Sequence, residues 1–377
     1  MGRILFNDVR KSDNYTKNIA LLFSDYELFR KKHFSTLCIN HLNKHFSDSK
    51  LFLTHSATGA LEMIATLIDI KPGDEIIMPS FTYVSTANAF VSAGATPVFV
   101  DINSTTLNID ETLIEAAITP KTKAIIAMHY AGHACNLIAL KAICKKHNLF
   151  LIEDAAMAYG NYYNNQPLGS IGDFGVISFD ITKHISAIQG GLLLVNNDKY
   201  RARASNIYHI GTNREDFQQK KAEYYEWVDI GSKYQMNELN AAVLYDDLLN
   251  EAAVFEHRKN ISNFYYELLN SLAKSGKIQL INEALIKNNI HEFYLIAQTK
   301  NERDNLAQYL AEENIEAYFH YMPLHNSPMG EKFKYIGTNN TCNVSERILR
   351  LPMHSEISIE DVEFTTSKIT QYYSQNV

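Results

Sequence analysis

Four short stretches carry side chains whose types suit one chemistry. Lys183 stands in "SFDITKHISAIQGG" (Ser178–Gly191), a mostly apolar stretch in which an ammonium is costly to bury. Asp154 follows "LFLI" and so belongs at the mouth of a buried strand, where a carboxylate needs a cation or donors. "SATGA" (Ser56–Ala60) opens a helical stretch. Such a start has free backbone N–H groups, and with the Ser56 and Thr58 hydroxyls it suits a phosphate. "PSFTY" puts Phe81 and Tyr83 at the end of another strand. Taken singly, each has an ordinary reading: a turn lysine, two helix caps and core aromatics. Together they meet the needs of pyridoxal 5'-phosphate (PLP). That cofactor takes a lysine amine for its Schiff base and an acid to keep its pyridine nitrogen protonated. It also takes a phosphate cup and an aromatic neighbour for its flat ring.

Those residues must be positioned by a scaffold, and the chain between Leu51 and Val195 alternates in the required way. "LFLTHS", "DEIIMPS", "TPVFVDI", "KAIIAMHY" and "LFLIEDAA" read as short apolar strands. Between them "ATGALEMIATLIDI", "VSTANAFVSAGA", "DETLIEAAIT" and "NLIALKAICKKHN" read as helices. The alternation implies an α/β domain with a mainly parallel sheet covered by helices on both faces. "VISFDIT" and "GGLLLVNN" read as two strands flanking the lysine stretch. In such sheets ligands bind beyond the carboxyl ends of the strands, where Asp154 and Lys183 fall. A long, broken helix from "ELNAAVLYDD" onward links to an α+β remainder. There "HEFYLIAQT" is a strand, "ERDNLAQYLAEEN" a helix, "IEAYFHY" a strand and "SIEDVEFTTSKITQYY" the last helix. The expected division is a large cofactor-binding domain over 1–250 and a small one over 251–377.

Composition narrows the classes. Among 377 residues 46% are hydrophobic and 20% charged, enough for a packed core. The net charge of −7 argues against a general nucleic-acid binder. Cys38, Cys135, Cys144 and Cys342 are scattered, so neither a disulfide framework nor a zinc site is expected, and a cytoplasmic setting is. No signal peptide is expected in "MGRILFNDVRKSDN", and no stretch reaches the ~20 apolar residues of a membrane span. His129 and His133 in "HYAGHAC" lack a third ligand at a recognised spacing and read as packing or substrate-side residues. Trp227 and the tyrosines of "EYYEWVD" read as a subunit interface.

Longer stretches carry a family resemblance over nearly the whole chain. They are "GDEIIMPSFTYVSTANAFVSAGATPVFVDI", "LNIDETLIEAAIT", "HYAGHAC", "KKHNLFLIEDAA", "GTNR", "DIGSKYQMNELNAA" and "FHYMPLH". In these the sequence resembles the DegT/StrS group of PLP-dependent sugar-nucleotide aminotransferases. The resemblance implies a fold-type I, aspartate-aminotransferase-like architecture and a homodimer with shared active sites. It implies transfer of an amino group from glutamate to a nucleotide-linked, dTDP-type 4-keto-6-deoxyhexose. A 3-keto aminotransferase, a sugar deoxygenase and a non-catalytic sugar-nucleotide binder remain open beside it. Deoxygenating relatives carry His in place of the lysine, so Lys183 favours transamination. By the resemblance Lys183 takes the Schiff-base position, Asp154 the pyridine-nitrogen position and Tyr83 the stacking position. Ala57, Thr58 and Ser178 take the phosphate positions, and Gly231–Tyr234 reaches the phosphate of the neighbouring subunit. Apart from the resemblance, Arg214 of "GTNR" reads as a contact to the nucleotide diphosphate, because arginine suits phosphates, with an exposed loop arginine as the alternative reading. His320, Tyr321 and His325 of "FHYMPLH" are placed at the mouth of the site.

The sequence departs from the family pattern at four places. Met157 stands where Gln or His usually bonds the cofactor's ring oxygen. Ile188 and Gln189 replace the first half of a usual Gly-Glu-Gly-Gly. His184 stands where Asn often follows the lysine, and Lys233 where a neutral phosphate-side residue is usual.

Overall fold

The computed structural model describes residues 2–286, 288 and 290–375. Thirteen strands occur among them. The first five are β1 (Lys50–Thr54), β2 (Glu75–Pro79), β3 (Thr96–Val100), β4 (Thr122–Met128) and β5 (Phe150–Asp154). A two-residue hairpin follows, β6 (Tyr162–Tyr163) and β7 (Gln166–Pro167), then β8 (Phe174–Ser178) and β9 (Gly191–Val195). The rest are β10 (Gln279–Leu280), β11 (Phe293–Ile296), β12 (Lys334–Ile336) and β13 (Ile348–Leu351).

Eight strands form the central sheet in the order β1-β9-β8-β5-β4-β2-β3-β12. The six strands from β8 to β12 run parallel, while β9 is antiparallel to both β8 and β1. Every residue of β8 and β9 is buried, as continuous apolar runs in a sheet covered on both faces should be. One core includes Leu42, Ile77, Ile125 and Leu244; another includes Phe52, Ile64, Phe90 and Ile126. Neighbouring residues of one strand, Ile125 and Ile126, fall in different cores, because successive side chains of a strand point to opposite faces. A third core lies around the small antiparallel sheet β10-β11-β13 and the long helix Glu251–Lys274. Ile4 and Met128 join it, so the N-terminal segment and the rim of the large sheet close onto the C-terminal part.

The helix at "ATGALEMIATL" forms as read, over Ala57–Leu67, with the Ser56 hydroxyl accepting from Gly59 N at 3.0 Å. The long helix is broken at Asn250 into Glu238–Leu249 and Glu251–Lys274. Two expected elements differ. "DETLIEAAIT" makes only a 3-10 turn, Glu111–Leu113. Ile109 is already bridged to Ile102, Thr119 precedes Pro120, which disfavours helix at the residue before it, and β4 starts at Thr122. "IEAYFHY" is pinned only by single bridges, Ile315 to Ile4 and Tyr318 to Arg350, rather than by a strand ladder.

Candidate active site

A cavity of about 660 Å³ opens at the carboxyl ends of the parallel strands. Lys183, Asp154, Ala57, Thr58, Tyr83, Met157, Ser178, His320 and Tyr321 all line it. Lys233, Arg214 and His325 are not among the lining residues. Lys233 and Arg214 are exposed on the surface of the chain. His325 instead braces a loop: its Nδ1 meets the Ser80 hydroxyl at 2.6 Å and its ring stacks on Tyr335 at 3.7 Å.

Asp154 ends β5 and is buried, with 5% of its surface exposed. Its Oδ2 accepts from the Thr86 hydroxyl at 2.7 Å, and its Oδ1 accepts from Ala156 N at 3.2 Å. The second bond is the capping role that the sequence allowed, and it coexists with a carboxylate facing the cavity. The preceding Glu153 points elsewhere. It is fully buried and accepts from the N–H groups of Gly169, Ile171 and Gly172 at 2.6–2.9 Å and from His129 Nε2 at 3.0 Å. Burial alone would raise its pKa, but the His129 bond and these donors hold it below the usual carboxylate range. His129 accepts from Cys135 N through Nδ1, so Nε2 carries the proton given to Glu153. His129 is therefore part of the frame.

Lys183 lies in the loop between β8 and β9. That loop closes on itself through Phe179 N to Gly190 O (2.9 Å) and Ala187 N to Phe179 O (2.8 Å). Asp247, in the helix Glu238–Leu249, holds it from below by accepting from Ser186 N at 2.9 Å. Burial pushes the Lys183 amine below the ordinary lysine range, while Glu292, Asp154 and Asp180 pull it back. Ile188 sits at φ +66°, a left-handed conformation that glycine adopts freely and a β-branched residue does not. Gly191 has no room for a side chain: a Cβ there would meet Ala57 N at 2.5 Å. The start of β9 is thus laid directly against the N-terminus of the helix Ala57–Leu67.

The sequence reading missed part of the site. Glu292 and His291 at the mouth of β11, Arg258 on the long helix and Arg350 on β13 all line the cavity. Glu292 pairs with Arg350 at 3.1 Å and approaches His320 Nδ1 at 3.6 Å. Burial would raise the Glu292 pKa, but His320 and Arg350 outweigh it and hold it well below the usual range. The signal was the "HE" pair just before the apolar run "FYLI", two ionisable residues at a strand mouth.

A mainly parallel, helix-covered sheet with a lysine and an aspartate lining one cavity at its carboxyl edge is the arrangement of fold-type I aminotransferases. Residues 40–370 match the DegT/DnrJ/EryC1/StrS aminotransferase family, and the chain belongs to that family. It is 31% identical over 322 residues to the spore coat polysaccharide biosynthesis protein SpsC of Bacillus subtilis, covering 82% of each chain. Its fold matches PseC of Helicobacter pylori, an aminotransferase involved in pseudoaminic acid biosynthesis, with a TM-score of 0.88 at 22% identity, over 99% of this chain and 100% of that one. Spr1654 of Streptococcus pneumoniae, solved in its PLP form, matches over 100% of both chains with a TM-score of 0.86 at 23% identity. The protein is a PLP-dependent sugar transaminase.

The residues present fit PLP. The first N–H groups of the helix at Ala57 lack intrahelical acceptors and carry its positive end. Gly191 adds no side chain at that end, and Ser178, its partner across β8 and β9, stands on the cavity wall. Met157 also lines the wall, where its thioether offers no donor to a ring oxygen.

Proposed function

We propose that the protein moves an amino group from glutamate to a dTDP-linked 4-keto-6-deoxyhexose. The product is a 4-amino-4,6-dideoxyhexose for surface polysaccharide or lipopolysaccharide, as a dTDP-4-amino-4,6-dideoxygalactose transaminase would make. The observation that carries the reaction type is the meeting of Lys183 and Asp154 in one cavity lined also by Ala57 and Thr58 at the start of a helix. The sugar-linked pathways named for SpsC and PseC support the substrate class. PLP, when bound, supplies the electron sink that makes the donor's α-proton acidic.

The chain's own residues then divide the work. Ala57, Thr58 and Ser178 would hold the phosphate, and Tyr83 would pack on the ring. The Asp154 carboxylate, fixed by Thr86 and Ala156 N, would favour the protonated form of the pyridine nitrogen. Lys183 Nζ removes the proton from the donor's α-carbon in one half-reaction and delivers a proton to C4 of the sugar in the other. Its lowered pKa favours the free amine that the first step needs. His320 and Tyr321 contact the sugar from the cavity mouth, and His325 supports them by holding the same loop to Ser80. Arg214 meets the diphosphate.

The working unit is a homodimer with shared sites, acting in the cytoplasm, with 1–250 binding the cofactor and 251–377 closing over it. Trp227 and Ile230 are 82% and 71% exposed, and Tyr224, Tyr225 and Val228 beside them are also exposed, an apolar patch that suits a subunit interface. Lys233 follows that patch and reaches the partner's phosphate. The test is mass spectrometry of products formed from a panel of dTDP- and UDP-keto sugars with glutamate. A 4-amino product from the dTDP 4-keto sugar is expected. A 3-amino or dehydroxylated product overturns this reading.

A further inference from the structure

His184 and His291 are both buried, and their Nδ1 atoms lie 3.2 Å apart. The protons in this pair can be assigned by elimination. His184 Nε2 is 2.8 Å from the Tyr159 carbonyl, which can only accept, so His184 carries its proton on Nε2. Burial keeps His184 neutral, with its pKa down to about 3, so its Nδ1 is a bare acceptor. His291 must therefore donate from Nδ1. Burial also holds His291 well below the ordinary value, so its Nε2 is bare in turn. Arg258 fixes the backbone here, donating to Ile290 O at 2.5 Å and to His291 O. His291 lines the cavity with Lys183, the residue next to His184 in the chain. The charged and titratable groups around it are Lys183, His184, Glu292 and Arg258.

We propose that the Tyr159 carbonyl and His184 lock His291 in one tautomer, whose Nε2 lone pair accepts a hydrogen bond from the Lys183 amine and aims it during proton transfer. His291 and His184 are positioning residues, and the proposal rests on Lys183 being the proton carrier. The relay explains how His184 serves at the position after the lysine: it donates on one side and accepts on the other. An asparagine amide there can do the same. Leucine can do neither.

The test begins with ¹⁵N-histidine spectra of the holoenzyme, with the His291 signal assigned by its loss in His291→Asn. A protonated Nδ1 and bare Nε2 are expected at neutral pH, and His184→Leu should redistribute the proton while His184→Asn keeps it in place. A protonated Nε2 in the wild type, or a His184→Leu spectrum unchanged, overturns the lock. Single-turnover rates with glutamate then test the role. His291→Asn, which loses the Nε2-position acceptor, should slow the first half-reaction about two- to tenfold with an increased isotope effect from α-deuterated donor. His291→Gln, which restores an acceptor at that reach, should recover most of the rate. A His291→Asn rate equal to wild type overturns the role while an inactive Lys183→Ala leaves the reading of Lys183 standing. Normal turnover by Lys183→Ala overturns both.

Discussion

Asp154 and Met157 sit three residues apart on the same wall but differ in how replaceable they are. Asp154 is aimed by two donors, so its carboxylate cannot turn away from the cavity without losing the Thr86 and Ala156 bonds. An amide at this position keeps the shape and loses the charge. Asp154→Asn should therefore lower the single-turnover rate with glutamate on the order of a hundredfold, the scale seen when one electrostatic stabiliser is removed. Its thermal unfolding should stay close to wild type. A wild-type rate would reduce Asp154 to a cap. Met157 offers the opposite case. Glutamine there would add a donor where the thioether has none. Met157→Gln should tighten cofactor binding about two- to tenfold, the worth of one hydrogen bond of about 0.5–1.5 kcal/mol. Titration of the apo-protein with PLP measures this, and no gain would mean that the ring oxygen is already satisfied.

Two elements outside the catalytic groups hold them in place. The Lys183 loop carries Ile188 at φ +66°, where the first glycine of the usual Gly-Glu-Gly-Gly would stand. A β-branched residue in that conformation costs about 1–2 kcal/mol, and glycine forfeits about 0.5–1 kcal/mol of that through its freer unfolded chain. Ile188→Gly should thus stabilise the fold by about 0.5–1 kcal/mol in urea unfolding, and a destabilised variant would show that the Ile188 side chain contributes more than its backbone costs. At the other end, Glu251 opens the long helix and ties it to the helix His33–Leu42 and the turn after it. It accepts from His41 Nε2 at 2.9 Å, from His45 Nε2 at 2.8 Å and from the Tyr159 hydroxyl. Burial would raise its pKa, but the bonds from His45, Tyr159 and His41 hold it down to about 2. A depressed acid stabilises the fold above its unfolded value near 4.5, and that contribution is lost as the pH falls toward about 2. Glu251→Gln should cost about 1.5–3 kcal/mol at pH 7. The difference from wild type should shrink between pH 4.5 and 2, and parallel pH curves would contradict the assignment. Elements of this kind mark the limit of what the sequence shows. The strand that ends in Asp154 and the two strands that flank the Lys183 loop were legible because each is a run of apolar residues bounded by polar ones. "DETLIEAAIT" misled because helical spacing says nothing of the short span left before β4. The His184–His291 and Glu251 contacts join residues far apart in the chain, and no local pattern encodes them.

Assembly decides whether each chain is complete by itself. The single chain brings Lys183, Asp154 and the start of the helix Ala57–Leu67 to one cavity, yet Lys233 and Arg214 lie outside it and the apolar patch around Trp227 is uncovered. Both facts are met at once if the patch docks on a second copy and carries Lys233 to that copy's phosphate. An ammonium beside a dianionic phosphate is a charge-assisted contact, and it should matter more at low salt wherever water reaches it. An exposed lysine is otherwise the ordinary fate of that residue type, so the test must separate the two. Lys233→Ala alone should bind PLP more weakly and recover activity at high cofactor. Lys183→Ala alone should be inactive at any cofactor concentration. When the two variants are mixed and allowed to exchange subunits, each heterodimer holds one site lacking both lysines and one site with both intact. The mixture should then be active at low cofactor, where neither parent is. If Lys233→Ala binds PLP as tightly as wild type, Lys233 does not cross the interface. If it binds weakly and mixing still restores nothing, the lysine acts within its own chain and the sites are not shared.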